Sequence, residues 1–594
     1  MAYNKKSNAS WHETKERFIN PYNFIPLPDS ITKTEPKYGT LSGKIVCHMT
    51  AHTPVAVPDH EKRTADKIGH YSYPFFSVGD KHIIPGSSIR GVVRSMFEAV
   101  TNSCVSVNNN NILSARSSAP KLPGILVCKN GSYTLYKAEK RKYNKDIELK
   151  ANQVLRTWYG IKGNLQTQIF EKTLTEVKCE ELEKSVDDYK ECVEIYKKNI
   201  DDLENKCTYK INKNGMTPLF YQVVEINGKR IVYLSPSQIG RTVFHNKLND
   251  LLGDHASCKL REDEKLCEAC ALFGITSDKQ MNYAGKVRFS DAQAEKFISL
   301  KEQTLKELAS PQISSVEFYT KRPYENGDQS KPAKRWTYDY YINEKNKMID
   351  TKVKLNGRKF YFHYKTDSYS TKEKTKRNST MELADRGSKF IFDVYFDNIS
   401  EDQLRKLLWV LALGENSEES ERLYKIGHGK PLGLGSVKII VDDVILRKYD
   451  NETKTYMVNE EKPDNYINSC TLKLNKSLAA ITNIGTAEST LVSYPIAEDK
   501  TAKVGNSTAA HQWFIANRSM NGTGVNWDIN YTLPAVTKKD ISLPAYEKSS
   551  EPVSAAPKTQ TFGENFSGGI MWKKSSHNSI STKTNQSNRK KKRK

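Results

Sequence analysis

His255, Cys258, Cys267 and Cys270 follow one another as H-x2-C-x8-C-x2-C. Two pairs of soft ligands at this spacing suit tetrahedral zinc, and the short span points to a structural ion rather than a catalytic one. The competing reading is a set of reduced thiols beside an unrelated histidine. A second constellation is the loop 427–435 (GHGKPLGLG), in which Gly427, Gly429, Gly433 and Gly435 surround His428 and Lys430. Without Cβ atoms such a loop brings backbone amides close to a phosphate. It lacks the Gly-Lys-Ser/Thr ending of a Walker loop, and a strand rather than a helix follows it, which excludes a dinucleotide fingerprint.

The segment 85–94 (PGSSIRGVVR) opens a helix with Ser87 and Ser88 at its start. Ser88 is the expected N-cap, and the amides of the first turn favour an anion. Arg90 and Arg94, four residues apart, add fixed charge on one face. Between 321 and 377 bases alternate with rings: Lys334 and Arg335 precede Trp336, Tyr338, Tyr340 and Tyr341, and Arg358 opens RKFYFHYK. Cations beside stacking rings are the composition of a single-strand nucleic-acid surface, although some of these rings can equally fill a core. Asn356-Gly357 is a hairpin signal in front of Arg358.

These residues need elements to hold them. The stretch 41–50 alternates as a strand, and Ile89, Val92, Val93, Met96, Phe97 and Val100 mark one helix face. Strands are expected at 286–291 (KVRFSD), 390–396 (FIFDVYF) and 436–441 (SVKIIV), with a helix at 401–413 capped by Ser400. Strand, helix, two strands, helix, strand is a ferredoxin-like α+β order. Residues 171–206 contain no Gly or Pro, and Leu182, Val186, Tyr189, Val193, Tyr196, Ile200 and Leu203 form an a/d seam. That predicts a long helix, lying on its own domain or pairing with a partner.

Composition bounds the function. The chain has 594 residues, a net charge of +23 and 10% aromatic residues, so several domains and a polyanionic partner are expected. Nine Lys and Arg fall within 571–594 without an acid, which reads as a disordered basic arm. Ten scattered Cys make no disulfide framework. Apolar runs such as 407–413 are far short of a membrane span, and the polar N-terminus has no signal-peptide core. A cytosolic nucleic-acid-binding protein is the class left standing.

Four motifs, IPGSSIRGVVRSMFE (84–98), CEACALFG (267–274), KVRFSDA (286–292) and GHGKPLGLGSV (427–437), together resemble the RAMP superfamily of CRISPR-Cas systems. The resemblance covers roughly 38–103 and 258–442 and is strongest to backbone subunits of type III effector complexes. It implies a modified ferredoxin-like, RRM-like palm with long insertions, a thumb hairpin and a disordered basic tail. The implied division is a lead-in (1–40), first palm part (41–103), insertion (104–257), zinc knuckle and palm strand (258–310), thumb-like region (311–388), second palm part (389–443), C-terminal extension (444–540) and tail (541–594).

By the same resemblance Ser87, Ser88, Arg90, Arg94, the 427–435 loop and the basic residues Lys334, Arg335 and Arg358 contact a CRISPR guide RNA. Complementary target RNA and other type III subunits are the further partners, with no membrane or small-molecule substrate. Relatives that cut target RNA carry an acid before the PGSS turn, and counting back from Pro85 that position reads Ser72. Asp66 and then Asp59 are the candidates to replace it, working with a divalent ion such as magnesium, and a binding-only role is preferred to cleavage. The alternatives are a guide-processing ribonuclease, with His48, His52, His60 or His70 as base, and a zinc-containing scaffold without catalysis.

Overall fold

The computed structural model describes residues 10–549 apart from 107–111, 118–119, 145–147, 160–164, 198–206, 261–264, 277–281, 309–314, 501–509 and 519–527. The expected tail (541–594) begins later than its composition suggests: Leu543–Ser549 is a strand paired antiparallel with Ser10–Phe18, held by backbone pairing from the other end of the chain, and 550–594 lie outside the described residues. Eight elements frame the site: β1 (Leu41–Ala51), α1 (Gly86–Val100), α2 (Glu268–Phe273), β2 (Val287–Phe289), β3 (Ala292–Lys296), β4 (Lys389–Ile399), α3 (Glu401–Leu411) and β5 (Ser436–Asp450).

Alternation makes β1 a two-faced strand. Ile45, Cys47, Met49 and Ala51 are buried, while Lys44 and His48 reach acids on the other face. The sheet order is β5-β1-β4, with β2 and β3 both on the outer side of β4. Every one of these pairings is antiparallel, and Cys47 sits between Phe392 and Val441. One core joins the inner sheet face to α1 through Ile89, Val93 and Phe97, and to α3 through Leu404, Leu407 and Leu408. This is a mixed α/β fold made mostly of strands. In α3 Ser400 accepts the Gln403 amide at 3.2 Å and Gln403 returns the bond at 3.1 Å, the capping box expected of that sequence.

Helix α1 starts differently from the sequence expectation. Pro85 occupies the N-cap and Ser88 lies inside the first turn. The cap comes from far along the chain: Asp291, between β2 and β3, accepts the Gly86 amide at 2.8 Å. A carboxylate at a helix start neutralises the same partial charge that a local serine would, so tertiary contact has displaced the local cap.

The insertion carries a second sheet with its own core. Strands at Leu122–Lys129, Ser132–Lys142, Gln153–Tyr159, Leu165–Glu176, Met216–Ile226 and Lys229–Ser235 make a six-stranded antiparallel sheet. The long helix expected over 171–206 is shorter. Residues 171–176 continue a strand that buries Ile169 and Phe170, and the described helix is Leu182–Lys197. Val186, Tyr189 and Val193 pack on the six-stranded sheet, so these seam residues are satisfied within the chain; Ile200 and Leu203 lie outside the described residues.

The Asn356-Gly357 hairpin does not form. Arg358–Tyr361 pairs instead with Tyr22–Ile25 from the N-terminal lead-in. At Gly357 a Cβ would stand 1.8 Å from the Ile25 carbonyl oxygen, so glycine here permits a close chain crossing rather than a tight turn. Trp336, Tyr338 and Tyr341 are core residues, which removes those rings from any exposed stacking surface.

Candidate nucleic-acid interface and cysteine cluster

The first turns of α1 face the 427–435 loop across a cavity of about 560 Å³, whose lining includes Ser87, Ser88, Lys359, Lys425, His428 and Lys430. Among the described residues no carboxylate lines it. The loop glycines adopt left-handed φ of +73° to +87°. A Cβ on Gly435 would lie 1.9 Å from the Ile426 carbonyl oxygen, and one on Gly427 would lie 2.4 Å from that of Ala56. Gly435 thus lets the two ends of the loop close on each other, and Gly427 lets the loop lie on Ala56, whose carbonyl accepts the His428 amide at 2.8 Å.

Among the described residues, the cleft beside this loop is lined by cations and no acid. The buried Lys425 ammonium donates to the Gly433 carbonyl at 2.9 Å and the Ser436 hydroxyl at 2.8 Å. Burial, reinforced by Lys430, pushes its pKa well below the ordinary lysine value. Burial likewise lowers Lys430 and His428. Lys359 lies 3.7 Å from the Tyr22 ring centroid and donates to the Tyr319 hydroxyl at 3.1 Å, and burial brings its pKa to about 8. Desolvated cations facing one another in this way gain most from an anionic ligand, which restores the charge partner that burial removed.

Not all of the expected residues meet here. Arg90 and Arg94 project from the opposite side of α1. Arg90 donates to the Phe273 carbonyl, and Arg94 donates to Glu98 at 3.0 Å, the Gly274 carbonyl at 3.0 Å and Cys270 Sγ at 3.5 Å. Arg358 donates to Glu98 at 3.0 Å and to the Ser103 carbonyl. Lys334 reaches Asn346 Oδ1 at 3.5 Å, and Arg335 sits on a short strand beside buried Trp336; neither lines the cleft. Lys359, Tyr361, His363 and Lys425 do line it. The first three belong to the RKFYFHYK segment, whereas Lys425 had no signal beyond standing two residues before Gly427.

The sulfur cluster has a different fourth member from the one that spacing suggests. Sγ atoms of Cys104, Cys258, Cys267 and Cys270 lie within 4.8 Å of one another, and all four residues are buried. The Cys104–Cys267 and Cys104–Cys270 sulfur pairs are both 3.6 Å apart. Four thiolates at 2.3 Å from one ion would be separated by about 3.8 Å, so the donor set fits a tetrahedral metal. His255 is directed elsewhere: its ring nitrogens face the Leu252 carbonyl at 3.2 Å and the Pro28 carbonyl at 2.7 Å. Cys104 follows the end of α1, Cys267 stands at the N-cap position of α2 and Cys270 lies in its first turn. Hydrogen bonding with Cys104 lowers the pKa of Cys267 and Cys258, while mutual hydrogen bonding pushes Cys104 and Cys270 up; a metal held by all four would release their remaining protons.

The family model for the RAMP superfamily matches residues 48–438, most of the chain. The chain belongs to the RAMP superfamily. No curated protein matches the sequence. Among solved structures, one titled "Type IV-B CRISPR Complex" has 12% identity and a TM-score of 0.19, covering 67% of this chain and 90% of that one. A type III-B Cmr-beta complex bound to cognate target RNA has 9% identity and a TM-score of 0.17, covering 67% and 96%. Thermofilum pendens Csc2 has 13% identity and a TM-score of 0.16, covering 61% and 75%. Scores this low add no weight to the family match.

The loop acids of this RAMP protein hold backbone. Asp59 is buried and accepts the Glu61 amide at 3.1 Å and the Lys62 amide at 3.3 Å. Asp66 accepts the Ile68 and His70 amides at 3.0 and 2.9 Å. Buried His70 is held between the Thr375 carbonyl and the Thr380 hydroxyl, each at 2.9 Å. His60 lies against the Tyr73 ring, and His52 is lowered by burial and then by Lys438.

His48 stands on the outer face of the sheet between Asp442 at 2.8 Å and Glu418 at 2.9 Å. Burial works to lower its pKa, but the bonds to Glu418 and Asp442 outweigh it and the net shift is upward. A neutral imidazole donates to only one carboxylate, whereas imidazolium donates to both. Its stabilising contribution is therefore full below the unfolded value near 6.5 and fades as pH rises through the higher native value. The contribution is expected to be about 1 kcal/mol or less for such half-exposed pairs. His48→Gln should flatten the pH dependence of the melting temperature above about pH 6.5; an unchanged slope would remove His48 from this role.

Proposed function

We propose that this RAMP protein is the guide-RNA-binding, backbone-type subunit of a type III CRISPR interference complex. The observation that carries the reading is the cleft between α1 and the 427–435 loop, lined by Lys359, Lys425 and Lys430 and, among the described residues, by no acid. The β5-β1-β4-β2 order with α1 and α3 on one face supports reading the sheet as a ferredoxin-like palm. The four-cysteine cluster is read as a structural zinc site fastening α1 to α2. Other effector subunits and complementary target RNA are the expected partners, in the cytoplasm. Asp59 and Asp66 are engaged with loop amides, and both nitrogens of His48 face carboxylates. Binding without cutting is therefore the role we assign, and no magnesium is required for it.

The test is co-expression with a CRISPR array followed by affinity measurement on the recovered protein. Wild type should retain guide RNA. Lys430→Glu with Ser88→Asp should lower affinity by at least tenfold, and Lys430→Ala alone should reduce the slope of log affinity against log salt by about one phosphate. Affinity should also weaken as pH rises through about 8, where Lys359 loses its proton. Protein free of RNA, with no guide affinity at low salt, would refute the assignment.

A further inference from the structure

Arg94 is turned inward, onto the cysteine cluster. Each guanidinium nitrogen meets a different group: Nε donates to Glu98 at 3.0 Å, Nη1 to the Gly274 carbonyl at 3.0 Å and Nη2 to Cys270 Sγ at 3.5 Å. The Phe273 ring centroid lies 5.8 Å from its Cζ. Two of these partners are themselves fixed. Glu98 also accepts Arg358 at 3.0 Å and the Ser106 hydroxyl. Gly274 stands at φ +78°, where a Cβ would meet the Gly285 amide nitrogen at 2.5 Å, so a close chain crossing sets the direction of its carbonyl. A planar fork held by Glu98 and Gly274 presents its remaining nitrogen to the sulfur in one orientation.

The contact matters because of charge. Four thiolates around one divalent cation leave a net double negative charge, and all four cysteines are buried. Buried charge is costly unless it is paired and hydrogen-bonded. A guanidinium N–H on a ligand sulfur supplies both. It does so much more strongly for the thiolate of a bound cation than for the neutral thiol of the free site, and that difference appears as metal affinity. Donors on ligating sulfurs also tune the electronics of a metal centre.

We propose that Arg94 is a charge-compensating residue of the cysteine metal site, its N–H on Cys270 Sγ raising the affinity for a thiolate-bound divalent cation and slowing its release. The inference rests on reading the cluster as a zinc site. It gives Arg94 a task inside the chain, where the family resemblance gives it a contact with guide RNA.

The experiment measures zinc affinity and release rate of the full-length protein by competition with a chromophoric chelator. Cobalt(II), loaded in place of zinc, reports the sulfur environment through its thiolate charge-transfer band. Arg94→Met removes the charge and the donors, Arg94→Gln does the same with a polar side chain, and Arg94→Lys returns the charge. Arg358→Met loosens the same buried ionic group around Glu98 without touching the three bonds of Arg94. Wild type should bind one ion per chain. Arg94→Met and Arg94→Gln should still bind one, with affinity roughly ten- to a hundredfold lower, faster release and a shifted charge-transfer band. Arg94→Lys should recover part of the affinity, and Arg358→Met should keep the wild-type band. At saturating zinc, Arg94→Met should retain wild-type RNA affinity and salt slope. Wild-type zinc affinity and cobalt band in both Arg94→Met and Arg94→Gln would overturn the inference and leave the zinc reading intact. The same band shift in Arg358→Met would assign the effect to loosened packing and overturn it as well. A loss of RNA affinity in zinc-loaded Arg94→Met, with metal binding unchanged, would return Arg94 to RNA contact. No metal bound by wild type would remove the zinc reading and this inference together.

Discussion

Metal analysis of the purified protein is expected to return one zinc per chain, lost in Cys104→Ser and retained in His255→Ala. Sequence spacing alone implies the reverse, because His255 stands three residues before Cys258 whereas Cys104 is more than 150 residues away. Geometry decides it: Cys104 Sγ lies 3.6 Å from the sulfurs of both Cys267 and Cys270, while the His255 ring is directed at two carbonyl groups. Structural zinc held by thiolates contributes on the order of 10 kcal/mol of apparent binding free energy at neutral pH. Chelation or Cys267→Ser should therefore loosen the α1–α2 junction, seen as a lower melting temperature and faster hydrogen exchange in 258–276. His255→Ala should lose only its carbonyl contacts. Full zinc content in Cys104→Ser, or its loss in His255→Ala, would contradict the four-cysteine assignment.

What the sequence makes legible follows the range of the interactions. Strand alternation in 41–51, the apolar face of α1 and the Ser400 cap are local devices, and each appears where the residues imply it. The resemblance assigns both Ser87-Ser88 and the 427–435 loop to one RNA partner, and Ser87, Ser88, Gly427, His428 and Lys430 do line one cleft. Features that depend on chain crossings were not. Asp291 replaces Ser88 as the cap of α1, Tyr22–Ile25 replaces a hairpin partner for Arg358–Tyr361, and Cys104 completes a cluster that begins at Cys258. The aromatic run illustrates the same limit. Composition cannot distinguish rings that stack on bases from Trp336 and Tyr338, which are buried. Likewise the charge of Arg90, Arg94 and Arg358 was visible, but its direction away from the cleft depended on where α2 packs.

Glu98→Gln is expected to destabilise α1 and its attachments by about 3–5 kcal/mol, the usual cost of removing one partner from a buried ionic group. Glu98 lies near the end of α1 with its side chain only 6% exposed. One carboxylate oxygen accepts Arg94 at 3.0 Å and also the Ser106 hydroxyl; the other accepts Arg358 at 3.0 Å. The side chain therefore joins α1, the segment beyond Cys104, and the strand that pairs with the N-terminal lead-in. Glutamine preserves the shape but leaves two guanidinium groups, 13% and 9% exposed, without a counter-charge. In a multidomain chain a global unfolding free energy is poorly defined, so the measurement is hydrogen exchange of the α1 amides. A loss of 3–5 kcal/mol should accelerate their exchange by roughly two to three and a half orders of magnitude. Arg358→Met combined with Glu98→Gln should cost less than the sum of the two changes, because removing one guanidinium relieves part of the stranded charge. Additive behaviour of the pair, with α1 protection nearly unchanged in Glu98→Gln, would show that the carboxylate is not the group holding these segments together.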